Sequence, residues 1–223
     1  MTLTIKEDVT YLLKMADVLQ NEATKSNIIS VFDDGGYREL LLTKMFGLSK
    51  VAGRHGDDGV DLETGNQYEL KTVNLIDTKG NLRIRPGITT CHHVNHEIIN
   101  RYRAVEAFLV GIFFINEPVR IYEISPQKLE PYFKQWEDRL NNEPNLNHIN
   151  NPKISFVDIM NQGTLLYQNK EYDAYFNTIK SNPRISASIK IELLEKLKLI
   201  KNKDLNATEN TDILEQLSLL EDF

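Results

Sequence analysis

The run Ala107–Ile115 (AFLVGIFFI) constrains this chain more than any other segment, because nine consecutive residues carry no polar side chain. It is too short to cross a membrane as a helix, and its β-branched and aromatic content suits a strand. Unbroken apolarity, rather than alternation, is what a strand buried on both faces requires. Val119–Ile124 is predicted as its antiparallel neighbour, joined through a turn at Asn116-Glu117-Pro118. With 223 residues the chain can bury one sizeable core and still carry an appendage.

Helical patterning surrounds this strand. Thr4 and Glu7 fit a capping box, and Ile5, Val9, Leu12, Leu13, Ala16 and Leu19 form a stripe at helical spacing. A second helix is predicted over Tyr37–Phe46, between the Asp33-Asp34-Gly35-Gly36 turn and Gly47. Segments around Val60 and over Gln67–Val73 read as a hairpin, and Glu97–Arg103 and Leu129–Leu140 as helices. Near the C-terminus, Ala187–Lys203 is a lysine-rich amphipathic helix with Ile189, Leu193, Leu197 and Ile200 in one stripe. A polar break over Asn206–Thr211 and a short acidic helix over Asp212–Leu220 are predicted to follow. The division expected is a core over residues 1–165, with an N-terminal dimerisation helix, and a helical C-terminal extension over 166–223. That extension reads as an addition whose removal after Tyr167 lowers stability but spares activity.

The formal charge of −6 is concentrated: residues 204–223 hold six acids and no Lys or Arg, and the rest of the chain balances. Between Lys79 and Arg103, however, Lys79, Arg83, Arg85, Arg101 and Arg103 face Glu97 alone, with His92, His93 and His96 among them. Such a local excess is compatible with a polyanionic partner. Cys91 is the single cysteine, which excludes a disulfide framework and a cysteine-based zinc site. The N-terminal segment carries acids early and lacks a basic-then-apolar leader, which points to a cytoplasmic protein.

Asp58 and Glu69-Leu70-Lys71 carry the chemistry. On a strand, Glu69 and Lys71 share one face while Tyr68 and Leu70 share the other. Two carboxylates opening into a cleft can hold a hard divalent cation such as Mg²⁺, with the Leu70 carbonyl as a further oxygen ligand. A lysine beside them can position or deprotonate a water that attacks a phosphate. A surface ion pair on an exposed strand is the plainer reading of the same triplet.

The blocks VFDDGG, GLSKVAGRHGDDGVD, YELKTVN, TKG, HHVN, RYR, YEISPQKLEPYF, QWEDR and INNPKI resemble, in order and spacing, the PvuII family of type II restriction endonucleases, of the PD-(D/E)xK superfamily. The resemblance runs from about residue 26 to residue 167. It implies an α/β fold, a restriction-endonuclease-like mixed β-sheet flanked by helices, here with the helical C-terminal extension. By resemblance, the metal-binding aspartate falls at Asp58 rather than Asp57 or Asp61, the strand glutamate and lysine at Glu69 and Lys71, and an active-site tyrosine at Tyr102. His92 and His93 fall on base-contacting histidines, Asn150 and Asn151 on an asparagine pair, Thr89 on a serine, and Asp34 on a residue near the minor groove. Histidine and asparagine side chains suit this reading, since both can bond base edges in the major groove. Zinc is the rival reading of HHVNH, and a simple turn that of Asn150-Asn151-Pro152.

The implied activity is that of a homodimeric, Mg²⁺-dependent, site-specific deoxyribonuclease cutting double-stranded DNA at a short palindrome, CAGCTG, to blunt ends. The partner implied in the same system is a cognate DNA methyltransferase. Three departures stand out: His55 in place of an acidic residue, Cys91 in place of the first of three histidines, and an inserted segment at Asn81–Pro86. The two arginines of that insert are expected to reach DNA phosphates. Two alternatives stay open: a structure- or methylation-directed repair nuclease on the same fold, and a DNA-binding protein that has lost cleavage.

Overall fold

The computed structural model describes residues 10–28, 30–32, 35–50 and 58–208. Its elements begin with α1 (Thr10–Lys25), α2 (Gly36–Met45), β1 (Gly59–Val60), β2 (Gln67–Asn74), β3 (Ile88–Thr89) and β4 (His93–Val94). Next come α3 (His96–Ala104), β5 (Ala107–Phe114), β6 (Glu117–Ile124), α4 (Pro126–Asn142) and β7 (Ile149–Asn150). The chain continues with β8 (Lys153–Ile154), α5 (Phe156–Gln162), β9 (Thr164–Gln168), α6 (Asp173–Ser181) and α7 (Ala187–Thr208).

The main sheet has five strands in the order β1-β2-β5-β6-β9. Strands β2 and β5 run parallel and the other neighbours antiparallel, so the sheet is mixed. Every residue of β5 is buried, as its composition requires. Phe108, Val110, Ile112 and Phe114 face a large core shared with α3, α4 and the C-terminal helices. On the other face, Leu109 meets Leu70, Ile121 and Leu42 of α2. Gly111 permits that approach, since a Cβ there would stand 2.7 Å from the Phe113 ring and 3.2 Å from Leu42. The α/β architecture expected from the sequence, a mixed sheet flanked by helices, is the one observed.

The helix over Gly36–Met45 ends as expected, with Gly47 at φ +63°. Thr4 and Glu7, the residues of the capping box, lie outside the described residues. The turn after β5 is tighter than the sequence suggested. It closes at Ile115 and Asn116, while Glu117 and Pro118 already pair in β6. The cause is Asn74, whose side-chain amide accepts from the Ile115 N–H at 3.1 Å and donates to the Ile115 carbonyl at 2.8 Å, holding Ile115 at φ +60°.

The C-terminal region also differs from expectation. Helix α7 continues through Thr208, so Asn206–Thr208 do not break it. That segment has no Gly or Pro, the strongest local breakers. The short acidic helix expected over Asp212–Leu220 lies outside the described residues. Strand β9 crosses the division expected at residue 165 and pairs with β6 through Arg120↔Gln168 and Glu123↔Thr164. Tyr172, Tyr175, Phe176, Ile179, Leu193 and Leu197 belong to the same hydrophobic core as β5. The stripe Ile189, Leu193, Leu197 and Ile200 is the face that packs inward.

Candidate active site and its exposed ribbon

Strand β2 places the charged pair where the alternation requires. Glu69 and Lys71 lie beside Phe108 and Val110 in the parallel register with β5. Leu70 turns to the opposite face, into the cluster with Leu42 and Leu109. Asp58, just before β1, completes the group because β1 folds back antiparallel on β2. Lys71 Nζ lies 2.5 Å from Glu69 Oε1 and 3.3 Å from Asp58 Oδ2. The Leu70 N–H donates to Asp58 Oδ2 at 3.1 Å, which orients that carboxylate. Asp61 is used differently: its carboxylate accepts from the N–H groups of Glu63 and Thr64 and shapes the hairpin turn. His55 and Asp57 lie outside the described residues, as does Asp34.

The electrostatics are those of a buried ion cluster. Glu69 is only 1% exposed. Burial pushes its carboxyl above the ordinary carboxylate range, against the pull of Lys71. For Lys71, burial alone would favour the neutral amine, but the charges of Asp58 and Glu69 outweigh it and hold the ammonium above the ordinary lysine range. Glu69 Oε2 is buried and has no hydrogen-bond partner among the described residues; Arg101 Nη2 stands 3.9 Å from it. An unsatisfied buried carboxylate oxygen is costly and calls for a cation. Two carboxylates, one with an oxygen to spare, offer hard oxygens of the kind that fit a divalent metal ion. Among the described residues no group of three or more His, Cys, Asp and Glu side chains is assembled, so carbonyl and water oxygens would have to complete the shell.

Helix α3 forms the wall beside this cluster. Asn95 caps it, its side chain accepting from the Ile98 N–H at 2.9 Å. Tyr102 is fully buried, edge to face with Phe108 at 5.2 Å, and the Lys71 ammonium lies 6.0 Å from its ring centroid. Tyr102 therefore packs the helix and borders the charged cluster at once. Burial pushes its phenol well above the ordinary range, Lys71 opposing, so the hydroxyl stays protonated near neutral pH.

The residues matched to base-reading positions gather elsewhere, on a small exposed ribbon. Strands β4 and β7 pair antiparallel, with His93 opposite Asn150. His93 Nδ1 lies 2.9 Å from Asn150 Oδ1, and His92 Nδ1 lies 3.0 Å from Asn151 Oδ1. An amide oxygen only accepts, so each Nδ1 donates in these contacts and leaves Nε2 as the ring atom turned to other partners. Asn151 sits at φ +48°, in the left-handed region that Asn tolerates, and its N–H donates to the His92 carbonyl at 3.0 Å. Thr89 is on the neighbouring pair, β3 with β8, opposite Lys153. It is exposed and lines a cavity of about 530 Å³ with Arg38, Thr72, Asn74 and Arg83. Nothing local in the sequence marks Arg38 or Arg83 as neighbours of Thr89; only the packing of α2 against the sheet brings them together.

The arginines counted as a positive surface are largely engaged inside the molecule. Arg103 donates to Glu130 at 3.0 and 2.8 Å and to Glu137 at 2.5 and 2.8 Å, clamping α3 to α4. Arg85, from the inserted segment, donates to the carbonyls of Ile179, Asn182 at 2.6 Å and Pro183 at 3.1 Å, closing the C-terminal end of α6. The expectation that both insert arginines reach DNA phosphates therefore fails for Arg85, because carbonyls at a helix C-terminus attract a guanidinium.

Comparison with known protein families matches residues 4–167 to the family described as restriction endonuclease PvuII. The chain belongs to the PvuII family of restriction endonucleases. The match begins at residue 4 and so includes α1, upstream of the blocks that first carried the resemblance. Membership makes the protein a type II restriction endonuclease, with DNA as its substrate. Restriction endonucleases of this family generally use a divalent metal, which agrees with the oxygen-rich cluster on β2. Among the described residues no helix is long and apolar enough to cross a membrane.

Proposed function

We propose that this PvuII-family enzyme is a Mg²⁺-dependent homodimer that hydrolyses both strands of double-stranded DNA at a short palindrome. The observation that carries the reading is the Asp58–Lys71–Glu69 cluster with its unsatisfied Glu69 oxygen. Asp58, Glu69 and the Leu70 carbonyl are the ligands for the metal. Bound Mg²⁺ supplies charge neutralisation at the phosphate and a more acidic water. Lys71, within reach of both carboxylates, positions the attacking water or takes its proton, and its charge stabilises the phosphate. The water oxygen gives up a proton and forms a new bond to phosphorus, one ester oxygen leaves, and that oxygen takes up a proton, so the step is balanced by one water. Tyr102 supports Lys71 by excluding water from one side and placing a neutral hydroxyl there.

His92, His93, Asn150, Asn151 and Thr89 are the residues proposed to read bases. Paired in advance, the imidazole and amide groups present a set pattern of donors and acceptors at an exposed edge, which suits the major groove. Two-fold symmetry of a dimer matches two-fold symmetry of a palindrome. The sequence CAGCTG with a blunt central cut is the site proposed, and a methyltransferase of the same specificity the partner that protects host DNA. The test is plasmid digestion with Mg²⁺ and with EDTA, followed by sequencing of the ends. Discrete Mg²⁺-dependent fragments with ends at one palindrome support the reading. A nicked circle favours a strand-selective repair nuclease, and uncut but bound plasmid favours a protein without cleavage.

A further inference from the structure

His148 has no role in the site as described, yet its ring meets the ring of His93 edge to face, with centroids 4.3 Å apart and planes at 76°. The same His93 ring is held at Nδ1 by Asn150, its partner across β4 and β7. His92 has the equivalent amide partner, but its centroid is 6.5 Å from that of His93 and the two rings are only tilted. The difference matters because the outer torsion of a histidine side chain has a broad minimum. One hydrogen bond directs one nitrogen and still lets the ring rock about that contact. A second ring packed edge to face restricts the plane itself. His93 is exposed, so without these two restraints water would compete for its orientation.

We propose that His148 is a specificity-determining positioning residue. Resting on the reading of the ribbon as base-contacting, it sets the plane of the His93 ring before DNA arrives, so that Nε2 meets a base edge in one geometry. His148 reaches this position because it directly precedes β7, the strand that carries Asn150, so one short strand delivers both restraints on His93.

The experiment compares the full-length wild type with His93→Ala, His148→Ala and His148→Phe. Cut ends from a mixed-sequence DNA library are sequenced, and each protein is scored by its preference for the favoured site over sites differing by one base. Ring-nitrogen NMR shifts of His93, recorded near pH 8 where a free imidazole is neutral, report whether one tautomer and orientation persists. The expected result is that His148→Ala lowers discrimination by about tenfold, a large part of one base contact, and moves the His93 shifts towards averaged values. His148→Phe, which keeps a ring edge but no nitrogen, restores both. If His93→Ala loses discrimination while His148→Ala keeps it, the role given to His148 is wrong and the ribbon reading stands. If His93→Ala itself keeps discrimination, the ribbon reading falls and takes this proposal with it. Failure of His148→Phe to restore discrimination also overturns the proposal, since ring packing would then not be what His148 supplies.

Discussion

Arg85 and Asn182 lie ninety-seven residues apart and meet at 2.6 Å, the guanidinium donating to the carbonyl just past the end of α6. Nearby, the Tyr175 hydroxyl donates to the carbonyl of Arg83 at 2.9 Å. The inserted segment Asn81–Pro86 and the region beyond the family match are therefore fitted to each other. The same loop leads into Thr89 and the histidine ribbon, so the C-terminal helices buttress the segment proposed to read DNA.

Truncation after Tyr167 is expected to leave a chain that does not fold cooperatively. It removes Tyr172, Tyr175, Phe176, Ile179, Leu193 and Leu197, all of them buried in the main core. Deleting even one large aromatic side chain from a core costs about 3–5 kcal/mol, against a total stability of about 5–15 kcal/mol. The sequence alone suggested a milder outcome, with cleavage retained. A melting curve decides: a truncated protein that melts cooperatively within about 5 °C of the full chain would show that the extension is dispensable.

Lys71→Ala and Asp58→Ala should each reduce cleavage by about 10²–10³-fold or more, because each removes charge aimed at the reacting phosphate. Binding of DNA should persist in both. Single-turnover cleavage and filter binding on one DNA fragment separate the two effects. Near-normal rates for either variant would remove that residue from the proposed site.

Asn151 makes two separable contributions. Asn151→Ala and Asn151→Gly both lose the contact to His92, but only alanine resists φ +48°. The alanine variant should be less stable than the glycine variant by about 1–2 kcal/mol, the cost of a left-handed conformation for a residue with a Cβ. Denaturant titration of the pair measures this difference, and equal stabilities would refute the strain at this position.

The Arg103 clamp predicts a pH dependence. Hydrogen bonds from Arg103 hold the carboxyls of Glu130 and Glu137 below their ordinary value of 4.5. A carboxyl whose folded pKa is lowered stabilises the protein above its unfolded pKa and loses that contribution as pH falls through the folded value. Arg103→Gln should therefore lower the melting temperature at pH 7, and the gap to wild type should narrow below about pH 4.5, as in the acid limit of linkage. A gap that stays constant from pH 7 to pH 3 would show that Arg103 acts through packing alone. These groups are partly exposed, so added salt should also narrow the gap at pH 7.

What the sequence determined by itself is what depends on near neighbours along the chain. The apolar run Ala107–Phe114 read as a doubly covered strand, because eight consecutive apolar residues rich in aromatic and β-branched side chains are short for a buried helix and suit the inside of a sheet. The spacing of Glu69 and Lys71 put both on one face, since strand side chains alternate. The stripe of Ile189, Leu193, Leu197 and Ile200 showed which side of α7 would pack inward. The ordered blocks of the family added Asp58, the histidines and the asparagines, but as separate points along the chain. Only the tertiary structure decided which of these meet. It set His93 against both Asn150 and His148, spent Arg85 and Arg103 on internal partners, and left Glu69 Oε2 without a donor. Contacts of that kind join residues tens of positions apart, and a side chain's local pattern is the same whether its charge ends on a phosphate, a carboxylate or the end of a helix.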